Sequence, residues 1–488
     1  MKKAVLILDC GATNVKACLI AENGSVLASH SLPNNTVNDP NLSFGLIWDV
    51  DDIWEKLSVC SKKILKENSD VEVAAITVTT FGVDGAAMKK DGTVCYPAIS
   101  WQCNRTGSIE KAVGKYFNAE NLYQISGLQS YHFNTIYKLI WLKEYQPDVL
   151  EDMDYFVFMP SIFLYKLTGE FVTDTTMAGT SMLTDLKSRS FSKEILNAVG
   201  LDESIFPGIA EPGEQVGTLT GASAEKLGLR PGIPVFVGGH DTQFALIGSG
   251  ASINQPVLSS GTWEILMVRT PAGTLKVPDW KEAITIELDA LKGLVNPGLQ
   301  WVASGVLEWV NRLFYADFLG IAEKYNLMIY EASAIPAGSE GVQFIPNLFE
   351  GGLFSKAGEI SGLNHTTKRG HIYRACLEAL SYYTRFAFEK LQHAGNYEAK
   401  QLICVGGGTK NKLWNKIRAD VLGVPVLISD VKETTALGAA MSCLAGLKVY
   451  TNLEEAIQTM SNKFEIVEPN SFTAQYNELY NEFLHKFN

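Results

Sequence analysis

Three short apolar runs open the chain, at residues 4–8, 15–20 and 26–29. Their lengths and spacing predict a strand meander. Asn23-Gly24 between the last two predicts a hairpin, because both residues tolerate positive φ. Ile53, Leu57, Cys60 and Ile64 then recur at helical spacing, which predicts a helix over about 51–66. A strand over 73–80 follows, then a turn through Phe81-Gly82-Val83-Asp84-Gly85 and a second hairpin at Asp91-Gly92. Residues 110–230 read mostly as helices and loops, including helices near 135–145 and 161–167.

The second half opens on the same plan. Val257-Leu258 lead through Ser259-Ser260-Gly261-Thr262 into a strand over 263–268, as Leu6-Ile7-Leu8 lead through Asp9-Cys10-Gly11-Ala12-Thr13 into the run at 15–20. Gly11 and Gly261 stand 250 positions apart, about half the chain, which predicts two domains on one plan, 1–250 and 251–488. Later patterns predict a long helix over 372–392, a strand over 401–405, the turn Gly406-Gly407-Gly408 and a helix over 412–422. A strand over 424–428 follows, then a helix opened by Glu433-Thr434-Thr435, and a helical tail beyond 450. No Ser/Pro-rich linker separates the halves, so they are expected to share a large contact and to move about a hinge.

Composition narrows the function. A chain of 488 residues, 46% hydrophobic and 19% charged, is long enough for two cored domains and excludes extended disorder. No apolar tract reaches membrane-spanning length, and Asp9 ends the first run too early for an export signal. The formal charge of −12 argues against nucleic acid or an anionic membrane as the main partner. Any phosphate must therefore be met by local backbone N–H groups and a metal ion. The eight cysteines are scattered, with no C-x-x-C, and read as reduced thiols of a cytoplasmic protein.

The sequence contains neither G-x4-G-K-[ST] nor a G-x-G-x-x-G after a strand. Three glycine turns at strand ends remain: 11–14, 260–262 and 406–408. Small residues let backbone N–H groups approach phosphate oxygens, Thr13 and Thr262 add hydroxyls, and Lys16 adds a charge. Each turn alone also reads as an ordinary connection. Asp9 suits Mg2+, which binds through one or two carboxylates and keeps its waters, and reads equally as a turn cap. Gly238-Gly239-His240-Asp241-Thr242-Gln243 follow the apolar run 233–237. Asp241 there is placed to take a proton from an attacking hydroxyl, or to cap a helix. His240 also reads as a structural histidine. Trp101 and Asp84 combine an apolar face with a bidentate acceptor, as sugars require, and alternatively read as core packing and a turn cap.

The stretches 8–16, 259–263 and 405–408 resemble the first phosphate, second phosphate and adenosine motifs of the FGGY carbohydrate kinases. Residues 173–180 are similar to that family's lid-side segment. Residues 358–363 with His371 and 375–378 are similar to its C-terminal signature, with Cys376 departing from the usual residue type there and Tyr145 departing at the end of the Lys138–Trp141 signature. The resemblance covers residues 4–447 and implies an α/β fold of two ribonuclease H-like (actin-like ATPase) domains around a central interdomain cleft. It implies an ATP- and Mg2+-dependent kinase acting on O1 of a ketose. Asp241 would be the general base, and Asp9 and Asp241 would position Mg2+. Ala12, Thr13, Asn14, Val15, Lys16 and Thr262 would hold the phosphates, with Gly407 and Gly408 at the adenosine. Gly82, Asp84, His240, Thr242 and Asn296 fall at sugar-contact positions.

Residues 79–86, 240–246 and 261–267 turn the resemblance toward L-fuculose as substrate, the run 264–267 most of all. L-rhamnulose, D-xylulose and D-ribulose are the alternatives. The expected partners are a ketose and ATP, with no nucleic acid or membrane, and with self-association left open. A non-catalytic ATP switch or sugar sensor is the competing reading. The switch leaves the sugar-side residues Gly82–Asp84 and 240–243 without a purpose, and the presence of Asp9, Asp241 and Thr262 argues against the sensor.

Overall fold

The computed structural model describes residues 2–316, 320–349, 353–354, 356–460 and 463–486. The first half is built on β1 (Lys2–Cys10), β2 (Asn14–Ala21), β3 (Val26–Pro33), α1 (Val50–Glu67) and β4 (Val71–Thr80). Helices α2 (Thr135–Tyr145), α3 (Met159–Thr168) and α4 (Thr175–Thr180) precede β5 (Gln215–Thr218), β6 (Pro234–His240) and α5 (Asp241–Gly248). The second half carries β7 (Val257–Ser260), β8 (Trp263–Met267), β9 (Thr270–Pro271), β10 (Thr285–Leu288), β11 (Leu294–Val302) and α6 (Ser304–Phe314). It continues with α7 (Arg369–Gly395), β12 (Leu402–Val405), α8 (Lys412–Leu422), β13 (Val426–Ser429), α9 (Thr434–Gly446) and β14 (Phe464–Val467).

The two main sheets share one topology. The first runs β5-β6-β4-β1-β2-β3, and the second β9-β11-β8-β7-β12-β13-β14, with β10 also on β11. In each, an antiparallel meander (β1-β2-β3; β7-β8-β11) is extended on its first strand by two parallel strands (β4 and β6; β12 and β13). The turns therefore correspond: 11–13 matches 261–262, and the step from β6 into α5 matches the step from β13 into α9. The tail departs from the expected pattern, because residues 464–467 pair antiparallel with β13 as an edge strand. Its half-exposed residues Phe464-Glu465-Ile466-Val467 carry little hydrophobic periodicity to announce a strand.

Burial on both faces of β1 explains the layering. Leu6 and Leu8 pack on α1 with Leu57 and Ile64, whereas Val5 and Ile7 pack with Phe244 and Ile247 of α5 and Ala440 of α9. Leu246 of α5 instead joins Val257, Ile403 and Leu427 of the second sheet. Helices α5 and α9 thus form a layer between the two sheets. They approach closely at Gly438, where an added Cβ would lie 1.9 Å from the Phe244 carbonyl. Among the described residues, no helix is long and apolar enough to cross a membrane.

Candidate active site

The first turn joins β1 to β2 and is strapped from β3. Asn34 donates from Nδ2 to the Gly11 carbonyl (2.9 Å) and from its backbone N–H to the Thr13 carbonyl (2.8 Å). Thr13 and Asn14 are exposed, while Val15 is buried in the core beneath them. This corrects the expected run of phosphate contacts: the Val15 side chain is core, because strand alternation points it to the α1 face. The second turn is held by Ala303, whose N–H donates to the Thr262 carbonyl at 3.0 Å, leaving Thr262 exposed. The third turn packs on it. Gly406 (φ 94°) would bring a Cβ to 2.6 Å from the Ser260 carbonyl, whereas Gly407 faces open space.

Beneath the second turn lies a buried ion pair between Glu264 and Arg418, with Ser260 Oγ donating to Glu264 (2.7 Å) and Trp301 Nε1 donating to it (3.1 Å). Glu264, the first residue of the run 264–267, therefore buttresses the second glycine turn from beneath.

Asp9 on β1 and Asp241 at the start of α5 lie close enough for their charges to couple. Asp9 stands opposite Lys16 on β2 and Thr79 on β4, and accepts from Thr79 Oγ1 at 3.0 Å. Burial, then the Asp241 charge, pushes its pKa up to about 7. Asp241 is the first residue of α5, with His240 as N-cap. The bend that aims it depends on Gly238-Gly239: β6 gains a residue against β4 there, and a Cβ on Gly238 would lie 1.8 Å from the Val78 carbonyl. A Cβ on Gly239 would strike Thr176 Oγ1 and Asp174 Oδ1. Asp241 accepts from Thr242 Oγ1 at 3.3 Å, and its pKa is raised, chiefly by burial.

His240 links this carboxylate to the second half. Its Nε2 lies 3.5 Å from Asp241 Oδ1 and its Nδ1 lies 3.4 Å from Glu287 Oε2 on β10. Burial pulls the imidazole down, but Glu287, Asp241 and Asp174 outweigh it and leave its pKa raised. Gly82 lies against the ring: a Cβ there would be 2.9 Å from Nε2. Gln243 donates to Glu287 (2.5 Å) and accepts from Asn296 Nδ2. Asn296 is fully buried and its amide is bound to Gln243, itself buried, so no part of its side chain is exposed in the site.

Asp84 is a further correction. It is fully buried, pairs with Lys138 of α2, and accepts from Trp48 Nε1 (2.6 Å) and the Trp101 N–H (3.0 Å). Both carboxylate oxygens are engaged by protein donors, and the side chain is sealed from the cleft by burial. Instead Asp84 fixes the loop at Val83, whose φ of 63° is strained for a β-branched residue. The Val83 N–H donates to Thr180 Oγ1 (3.1 Å), and its carbonyl accepts from Thr135 Oγ1 (2.7 Å) and Lys138 Nζ (3.0 Å).

The structure thus brings Asp9, Lys16, Asp241, His240, Thr242 and Gly82 together. It adds Thr79, Asp174, Glu287 and Glu433, which the sequence reading missed. Asp9 and Asp241 are hard oxygen donors, the Asp241 charge helps burial to raise the pKa of Asp9, and a divalent cation fits such a pair. Among the described residues, no group of three or more His, Cys, Asp or Glu could hold a metal by itself. A Mg2+ ion bound by one or two carboxylates and phosphate oxygens needs no such cage.

Residues 4–248 match the FGGY family of carbohydrate kinases, N-terminal domain, and residues 257–447 match its C-terminal domain. An L-fuculokinase of Haemophilus influenzae is 43% identical over 95% of this chain and 99% of that protein. An L-fuculokinase of Escherichia coli K12 is 43% identical over 93% and 95%. An autoinducer-2 kinase of Salmonella typhimurium is 26% identical over 92% and 87%. In fold the chain is similar to a xylulose kinase from Rhodospirillum rubrum (TM-score 0.90, 23% identity, 99% and 98% covered).

Proposed function

The chain belongs to the FGGY family of carbohydrate kinases and is a sugar kinase that uses ATP; from that premise we propose that it phosphorylates L-fuculose at O1. The observation that carries this reading is the 43% identity to L-fuculokinase over nearly the full length of both chains. The likeness extends through both lobes and is not confined to the ATP-binding turns.

In this reading Asp241 accepts the C1 hydroxyl proton as the oxygen attacks the γ-phosphorus. The new C1–O–P bond forms as the bond to the β-phosphate oxygen breaks, giving the sugar 1-phosphate and ADP. His240 and Thr242 hold the Asp241 carboxylate and, with Gly82, line the sugar side. Ala12 to Asn14, Lys16 and Thr262 meet the phosphates, and Gly407 and Gly408 lie at the adenosine. Asp9 and Asp241 would hold Mg2+, which neutralises charge on the transferring group. Burial between two lobes keeps water from competing as acceptor.

The test is a panel of L-fuculose, L-rhamnulose, D-xylulose and D-ribulose with MgATP and coupled ADP detection. L-fuculose is expected to give the highest kcat/KM. A higher value with another of these ketoses overturns the assignment. Such sugars differ by one or two hydroxyls, and a site built to hydrogen-bond a hydroxyl rejects an analogue lacking it strongly.

A further inference from the structure

Glu433 stands at the step from a parallel strand into a helix of the central layer, the counterpart in the second half of the step that carries His240 and Asp241 in the first. It stands as N-cap of α9 but makes no capping bond to its own helix. Its carboxylate reaches Lys16 of β2 instead, with Oε2 2.5 Å from Nζ across 417 positions of sequence. The two side chains are 24% and 18% exposed, so water screens the pair less than it would on an open surface. Burial pulls the Lys16 ammonium down, yet Glu433 and Asp9 leave its pKa raised. The cation expected at the phosphates is thus already engaged by a carboxylate of the other half. A triphosphate presents the same charge to the same ammonium. It must break this pair or approach a Lys16 whose charge is already neutralised.

We propose that Glu433 competes with the phosphates of ATP for Lys16 and thereby sets nucleotide affinity: the interdomain Lys16–Glu433 pair opens when MgATP binds. This rests on the reading of Lys16 as a phosphate contact, but not on the identity of the sugar. The competition also couples the halves, because the residue that releases Lys16 belongs to the helix layer between the sheets.

The test is the Kd of MgATP, measured by titration calorimetry without sugar, for the full-length protein and its variants. Glu433→Gln is expected to tighten MgATP roughly three- to tenfold, the range that losing one partly buried competing charge produces. Lys16→Met is expected to weaken it. In the Lys16→Met background, Glu433→Gln is expected to give a smaller gain than in the wild type. Glu433→Asp, one methylene shorter, gives a smaller gain in the same direction and serves if Glu433→Gln does not fold. Unchanged or weaker binding in the folded Glu433 variants overturns the proposal. An equal gain with and without Lys16 overturns it too, since it would report only general charge. Unchanged binding in Lys16→Met removes the phosphate role of Lys16 and the competition together. A different preferred ketose, by contrast, would leave all these outcomes standing.

Discussion

Glu287 Oε2 lies 3.4 Å from Nδ1 of His240, although Glu287 belongs to β10 of the second sheet and His240 ends β6 of the first. The segment that carries Asp241 is therefore held from both lobes: Gln243, three residues on from His240, donates to the same carboxylate. Glu287 also helps to keep the imidazole protonated beside Asp241.

Replacing Glu287 with Gln removes one negative charge and lowers the His240 pKa, so the imidazolium charge is lost with it. The total charge changes little, but His240 is the direct neighbour of Asp241, and losing its cation dominates. Asp241 then holds a proton to higher pH. The acid limb of kcat/KM should move upward, so that the variant loses activity on the acid side of the profile and keeps it on the alkaline side. A uniform loss at all pH values would mean that Glu287 acts only through packing.

Asp9 titrates near 7 in the folded protein against an ordinary value of 3.8. The folded state binds this proton more tightly than the unfolded chain, so stability falls as pH rises through this interval, and the cost is complete above it. Asp9→Asn should raise the Tm by roughly 1–3 °C at pH 8 and leave it unchanged at pH 4, while turnover collapses. An unchanged Tm at pH 8 would show that Asp9 carries no such burden.

Lys138 and Asp84 form a fully buried ion pair beneath the strained Val83 loop. Lys138→Met leaves the carboxylate buried with one partner gone, at a cost of about 3–5 kcal/mol. Thermal melting should show a drop of several degrees, partly recovered in the double variant with Asp84→Asn. A double variant less stable than Lys138→Met alone would contradict this.

Legibility in the sequence followed distance along the chain. The glycine turns at 11–13, 261–262 and 406–408 were readable because a turn at a strand end is a local pattern. The repeat of strand–turn–strand at half-length announced the shared topology of the two sheets. Asp241 was readable because the glycines that bend β6 immediately precede it. Glu287, Glu433 and Asp174 were not, since each gains its meaning from a partner 47 to 417 positions away: His240 for Asp174 and Glu287, Lys16 for Glu433. Asp84 misled for the same reason. A carboxylate on a sugar-side turn looks like an acceptor until Lys138, Trp48 and Trp101 are found occupying it. Val15 misled because a motif names a segment, whereas strand alternation decides which of its side chains face the cleft.

The most direct measurement is ADP formation by Asp241→Asn with L-fuculose and MgATP, alongside its Kd for MgATP. Asn keeps the size and polarity of the side chain but cannot accept the C1 hydroxyl proton. Turnover should fall roughly a thousandfold or more, with MgATP affinity within about threefold of wild type. Turnover close to that of the wild type would contradict the role of Asp241 as the base.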